Sequence, residues 1–154
     1  MPLRIDIPGR EPLEVEFLVC DVNGTLSDRG VLIDGVAQRL DALRATLGIR
    51  LLSSDTFGTL DAIAARVGAP AQRVVGAAEK LDVLRALGPS RCVAVGNGAN
   101  DLLMIREAAL GIAIVGAEGA SGAAVAAADL VCRSILEALD LLAEPRALAA
   151  TLRA

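Results

Sequence analysis

A chain of 154 residues, 54% hydrophobic and 22% charged with a mean hydropathy of +0.55, carries about one domain's worth of core, which excludes intrinsic disorder. The lack of histidine removes Ser-His-Asp and Cys-His machinery, His-ligated zinc and an imidazole proton shuttle, and two Phe with no Trp or Tyr leave no aromatic platform for nucleic-acid bases. A net charge of -4 and a pI of about 4.8 argue against any general attraction to nucleic acid or to an anionic membrane.

Residues 3–7 and 13–20 read as a hairpin around Pro8-Gly9-Arg10, feeding a buried strand from Val15 to Cys20 that ends at Asp21. A Gly-rich turn and a short Val31-Leu32-Ile33 segment follow, so residues from about 26 to 36 leave room only for a short flap. An amphipathic helix is predicted from Val36 to Leu47, closed by Gly48. Next come a strand from Ile49 to Ser53 and a helix over about 57–67 ending at Gly68. A weak strand at Arg73 to Gly76 precedes a helix from Ala78 to Leu87. Arg91 to Val95 has the pattern of a central strand and runs into Gly96-Asn97-Gly98, followed by a helix through Ala109 and a strand at Gly111 to Val115. A small-residue helix near 120–127, a strand at Asp129 to Cys132 and helices near 134–142 and 144–152 complete the chain.

Strands that are apolar throughout, each returned by a helix, predict an α/β fold with a mostly parallel sheet covered on both faces. One domain over residues 1–154, with no cap domain, is expected. Cys20, Cys92 and Cys132 are an odd number without a Cys-x-x-Cys pair and read as buried thiols. The charged N-terminal segment does not read as a signal peptide, and uninterrupted apolar runs fall short of the ~18 residues of a membrane span. A cytoplasmic chain with no membrane insertion and no nucleic-acid partner is the expectation.

In such sheets ligands bind at the carboxyl ends of the strands. The polar residues there are Asp21 with Asn23 and Thr25, Ser53 with Ser54 and Asp55, and Asn97 with Asn100 and Asp101. Lys80, the only lysine among fifteen basic residues, starts the helix before the last of these strands. Two carboxylates, a hydroxyl, an ammonium and glycine-freed amides suit a phosphate and a hard divalent ion, which points to phosphoryl transfer.

Asp21-Val22-Asn23-Gly24-Thr25-Leu26 resembles the first motif of the haloacid dehalogenase (HAD) superfamily, Asp-x-Asp-Gly-Thr followed by Leu or Val. Ser53 matches the Ser/Thr ending the second strand, Lys80 the lysine of the third motif, and Gly96-Asn97-Gly98-Ala99-Asn100-Asp101 resembles the fourth, Gly-Asp-Gly-x-Asn-Asp. That last run, with Ser53-Ser54-Asp55, is most similar to the phosphorylation domain of P-type ATPases, so the chain looks like a soluble P-type ATPase-like phosphatase. The resemblance spans about residues 13–133.

It implies a three-layer Rossmann-like core, with an aspartyl-phosphate forming on Asp21 and magnesium held by the Asp21 carboxylate, the Asn23 carbonyl and Asp101, with Asn97 nearby. It further implies that Ser53, with Ser54 and the amides around Gly24 and Thr25, binds phosphoryl oxygens, and that Lys80 neutralises charge. Asp55 would orient the phosphate loop or cap the following helix, and Asn100 would bond groups around Asp21 or Asp101. Relatives without a cap use large substrates or a neighbouring subunit as lid, so the expected partners are a phosphorylated substrate and a second copy of the chain.

Two departures qualify this. Asn23 stands where HAD phosphatases carry an acid/base aspartate, help worth ~100- to 10,000-fold, so slow hydrolysis is expected. Asn97 replaces another aspartate, which weakens expected metal affinity. The alternative reading is a phosphate- or metal-binding regulatory module that has lost turnover.

Overall fold

A hairpin of β1 (Leu3–Ile5) and β2 (Leu13–Val15) opens the chain, pairing antiparallel with Leu3 opposite Val15. The chain then enters β3 (Phe17–Asp21), the flap strands β4 (Ser27–Asp28) and β5 (Val31–Leu32), α1 (Val36–Leu43), β6 (Gly48–Ser53), α2 (Leu60–Val67) and β7 (Ala71–Arg73). It continues through α3 (Gly76–Leu87), β8 (Cys92–Gly96), α4 (Leu102–Glu107), β9 (Leu110–Ile114), α5 (Gly122–Ala127), β10 (Leu130–Cys132), α6 (Ile135–Ala143) and α7 (Pro145–Leu152). The structure is a computed structural model that describes residues 1–154.

Six strands form one parallel sheet in the order β10-β9-β8-β3-β6-β7, with β3 held between β8 and β6. Successive side chains of a strand face opposite ways, so each central strand feeds two cores. Leu18, Cys20, Ile49, Leu51, Val93 and Val95 enter a large core with residues of α1, α2, α6 and α7. Val19, Leu52, Cys92 and Ala94 enter a smaller one with Leu81 and Leu84 of α3 and Met104 of α4. The sequence-based reading of a three-layer, Rossmann-like α/β fold is thus what the chain adopts. No helix is long and apolar enough to cross a membrane.

Several boundaries differ from expectation. The predicted continuous strand through Val15 to Cys20 breaks at Glu16, which separates β2 in its own hairpin from β3 in the main sheet. Helix α1 stops at Leu43, because Gly48, expected to close it, pairs with Phe17 and begins β6. Helix α2 starts only at Leu60, after a loop in which Asp55 adopts φ 60. The weak strand lies at Ala71–Arg73 rather than Arg73 to Gly76, since the apolar Val74 is buried against the second core while Gly76, at φ 77, turns the chain into α3.

Candidate active site

β3 lies at the middle of the sheet, and its last residue, Asp21, emerges between the ends of β6 and β8. Val22 extends the ladder by one bond, donating to the Leu52 carbonyl at 3.2 Å, and its own carbonyl then accepts from the amides of Thr25, Leu26 and Ser27. This tight turn needs Gly24: its φ is 77, and a Cβ there would lie 2.4 Å from Nδ2 of Asn97. The close approach of Gly24 is what sets the ends of β3 and β8 against each other.

Around Asp21 is a group of polar side chains almost wholly removed from water: Asp21, Thr25, Ser53, Lys80 and Asp101 are each at most 4% exposed. Lys80 reaches up from α3 and donates to Asp21 Oδ1 at 2.8 Å and to Asp101 Oδ1 at 2.6 Å. The Thr25 hydroxyl donates to Asp21 Oδ2 at 2.9 Å. Asp101 Oδ2 accepts from the amides of Asn97 and Gly98 at 3.1 and 2.9 Å, which ties the Gly96–Gly98 loop to the following turn. Gly96 has to be glycine, because a Cβ would lie 2.4 Å from the Asp101 Cγ.

One ammonium thus serves two buried carboxylates. Burial first, then the facing Asp101 charge, push Asp21 up to about 7 against the opposing pull of Lys80. For Lys80 burial acts to lower the pKa, but the two carboxylates outweigh it and hold the ammonium above its ordinary value. The ammonium is therefore charged, and it is shared between two buried carboxyl groups.

Ser53 ends β6 beside this group. The amide of Asp55 donates to its Oγ at 2.9 Å, so the hydroxyl proton is free to point elsewhere. Asp55 Oδ1 accepts from the Leu60 amide at the start of α2, and Arg73 of β7 donates to its Oδ2. The Leu60 amide first, then Arg73, hold the Asp55 carboxyl below the usual carboxylate range. The amides of Gly24 and Thr25 are spent on Ser27 and Val22 carbonyls, whereas those of Asn23 and Ser54 take no acceptor within the chain. Ser54 is exposed and its hydroxyl pairs with Thr56. Asn100 makes no side-chain bond to Asp21 or Asp101; its Oδ1 lies over Gly98.

No three acidic or thiol side chains gather into a ready-made metal cage. The oxygens present nonetheless fit a hard cation. Thr25 Oγ1 lies 2.9 Å from Asp21 Oδ2 and 3.3 Å from Asn97 Oδ1, and its single proton satisfies only one of them. Both oxygens of Asp21 and both of Asp101 accept hydrogen bonds within the cluster, and Asp21 Oδ2 and Asn97 Oδ1 share the one Thr25 proton. Magnesium is commonly held by one or two protein oxygens with water and phosphate completing its shell. Asn97 is held in this orientation by its own Nδ2, which donates to the Gly119 carbonyl.

The chain matches the haloacid dehalogenase-like hydrolases over residues 4–109, more than half its length. It belongs to that family. An uncharacterised protein of Methanocaldococcus jannaschii is 40% identical over 74 residues, 47% of this chain and 80% of the relative. Among solved structures, the 3-deoxy-D-manno-octulosonate 8-phosphate phosphatase of Moraxella catarrhalis, in complex with magnesium, phosphate and its sugar, superposes with a TM-score of 0.70 at 19% identity, covering 90% of this chain and 94% of that one. A phospho-aspartyl intermediate analogue of phosphoserine phosphatase gives 0.69 at 15% identity, covering 82% and 98%. At these identities the likeness establishes a shared fold.

Two residues of this family member's site carried no signal in sequence. Arg73 sits in an exposed edge strand, and Glu118, whose carboxylate accepts from the Arg29 amide of the flap, lies in the loop after β9. Only the pairing of their elements brings them to the site.

Proposed function

We propose that this HAD hydrolase is a magnesium-dependent phosphatase or phosphotransferase that works through an aspartyl-phosphate on Asp21. The observation that carries the reading is the buried Asp21–Lys80–Asp101 cluster beneath the Ser53 hydroxyl and the free Asn23 and Ser54 amides. A carboxylate at a strand end, opposite donors that have nothing else to bind, is a nucleophile facing an oxyanion cradle.

In this mechanism Lys80 fixes the rotamer of Asp21 through Oδ1 and lowers the repulsion between its charge and an incoming phosphate. Asp55 directs the Ser53 proton outward by donating to its oxygen. Asp21 and Asn97, with the Asn23 carbonyl, would hold magnesium, and Asp101 would support them through Lys80 and the Asn97 amide. When bound, the ion supplies charge neutralisation for the phosphoryl oxygens. Asn23 cannot protonate a leaving group or activate water, so the phospho-Asp21 form should be long-lived.

The same two asparagines, Asn23 and Asn97, favour a second reading, a phosphate- or metal-binding regulatory module without turnover. Intact-mass measurement after incubation with acetyl phosphate and magnesium separates them. A phosphate-sized increase in the wild type that is absent in Asp21→Asn and without magnesium is the expected result; ligand binding with no adduct would favour the module.

A further inference from the structure

We propose that the phosphoryl donor of this site is one whose leaving group departs as a weakly basic anion, an acyl phosphate being the simplest, rather than an alkyl phosphate ester. This rests on Asp21 as nucleophile and adds the class of donor it can use.

The two classes of donor differ in the proton their leaving group requires. Breaking an alkyl phosphate ester releases an alkoxide, about as basic as hydroxide, whose conjugate acid has a pKa of about 16. That departure needs a proton delivered in the transition state, and the site has none to deliver. Asn23, the residue two beyond the nucleophile, is an amide. The Thr25 hydroxyl is fully buried and bonded to Asp21. Lys80 is buried with its ammonium bonded to two carboxylates. The Asp101 oxygens accept three bonds from Lys80, Asn97 and Gly98. The Asp55 carboxyl is held ionised by the Leu60 amide and Arg73. Burial pushes the Cys20 thiol up, and the chain contains no histidine. The remaining acids at this end of the sheet lie on the flap and the loop facing it: Glu118 is tied to the Arg29 amide, Asp28 pairs with the Arg29 guanidinium, and Asp34 is exposed in the turn before α1.

An acyl phosphate asks for no proton. An Asp21 oxygen forms its bond to phosphorus, the bond between phosphorus and the acyl oxygen breaks, and the electron pair leaves on a carboxylate whose conjugate acid has a pKa of about 4. The bond made on Asp21 is of the same kind as the bond broken, so the transfer is close to thermoneutral as well as free of acid catalysis. Water then attacks phospho-Asp21, releasing inorganic phosphate, restoring the carboxylate and giving its proton to solvent.

The test is a leaving-group series on the full chain with magnesium: acetyl phosphate, substituted phenyl phosphates and glycerol phosphate, with Asp21 labelling followed by intact mass and turnover by phosphate release. Labelling by acetyl phosphate at least ~100-fold faster than by glycerol phosphate, with phenyl phosphate rates falling steeply as leaving-group pKa rises, is expected. Asn23→Asp, checked for an unchanged melting transition, should raise the glycerol phosphate rate ~100-fold or more and flatten the series. Equal wild-type rates for acetyl and glycerol phosphate would overturn the inference while leaving Asp21 as nucleophile, and loss of the glycerol phosphate rate in Glu118→Gln would then identify Glu118 as the acid. No labelling by any donor would overturn the nucleophile reading itself, and this inference with it.

Discussion

The floor of the site and its mouth are built on opposite principles. On the floor, Asp21, Thr25, Lys80 and Asp101 are buried and each makes at least two polar contacts, and no buried side-chain polar atom lacks a partner. At the mouth, Arg29, Ser54, Phe57 and Glu118 are exposed, and the flap is fastened by single bonds: Glu118 to the Arg29 amide, and the Thr59 hydroxyl to the Gly30 carbonyl. The difference is one of consequences. A buried charge cluster commits stability to the geometry of the reacting carboxylate, because removing one partner strands the others. The mouth can change with little effect on folding, which is where substrate choice is free to vary.

The largest expected effect breaks the floor. Lys80→Met leaves Asp21 and Asp101 facing each other without a cation, and should cost about 3–5 kcal/mol in urea unfolding as well as abolishing labelling of Asp21. Asp21→Asn should do the reverse to stability while also abolishing labelling, since it removes one of two carboxylates sharing one ammonium. Its pH dependence fixes the sign. A carboxyl whose folded pKa is raised to about 7 binds its proton more tightly when folded, so the wild type loses stability as pH rises from the ordinary carboxylate range through 7. In EDTA the variant should lack that loss and exceed the wild type at pH 8; a wild type equally stable at pH 5 and pH 8 would contradict it.

A third substitution tests how the two strand ends are set together. Gly24→Ala places a Cβ 2.4 Å from Asn97 Nδ2 at a φ of 77, and should cost about 1–3 kcal/mol while slowing labelling, because the neighbour it displaces flanks Asp21. If labelling were unchanged at that loss of stability, Asn97 would be a turn residue and nothing more.

Much of this was legible in the sequence, for identifiable reasons. Central strands such as Cys92–Gly96 are apolar on both faces because both faces are covered, and the residues that end them had to be the polar ones at the ligand-binding edge. Lys80 was visible through its uniqueness and its match to the third motif, not through its local pattern: an amphipathic pattern marks a lysine as solvent-facing, and nothing local reports that two carboxylates from β3 and the turn after β8 will meet it. The edge strand was misplaced because Val74 and Val75 look more like a strand than Ala71-Gln72-Arg73, yet an edge needs backbone pairing to Leu51, Leu52 and Ser53 and no apolar face. Arg73 and Glu118 stayed hidden for the same reason, since their roles depend on partners 18 and 89 residues away.

The smallest expected effect lies at the mouth and sharpens the contrast most. Glu118→Gln keeps an oxygen that can accept from the Arg29 amide, removes one exposed charge, and should change unfolding stability by less than ~0.5 kcal/mol. Arg29 holds φ 48 at the tip of the flap, an unfavourable backbone for a non-glycine residue, so its conformation depends on what fastens it. Amide exchange should therefore be fast at Arg29 and quicken further when the acceptor is removed altogether in Glu118→Ala, while the β8 amides stay protected to the level of global unfolding. Equal protection of flap and β8 would mean that mouth and floor open as one unit, and that the flap is part of the buried cluster's cooperative structure rather than a separately fastened cover.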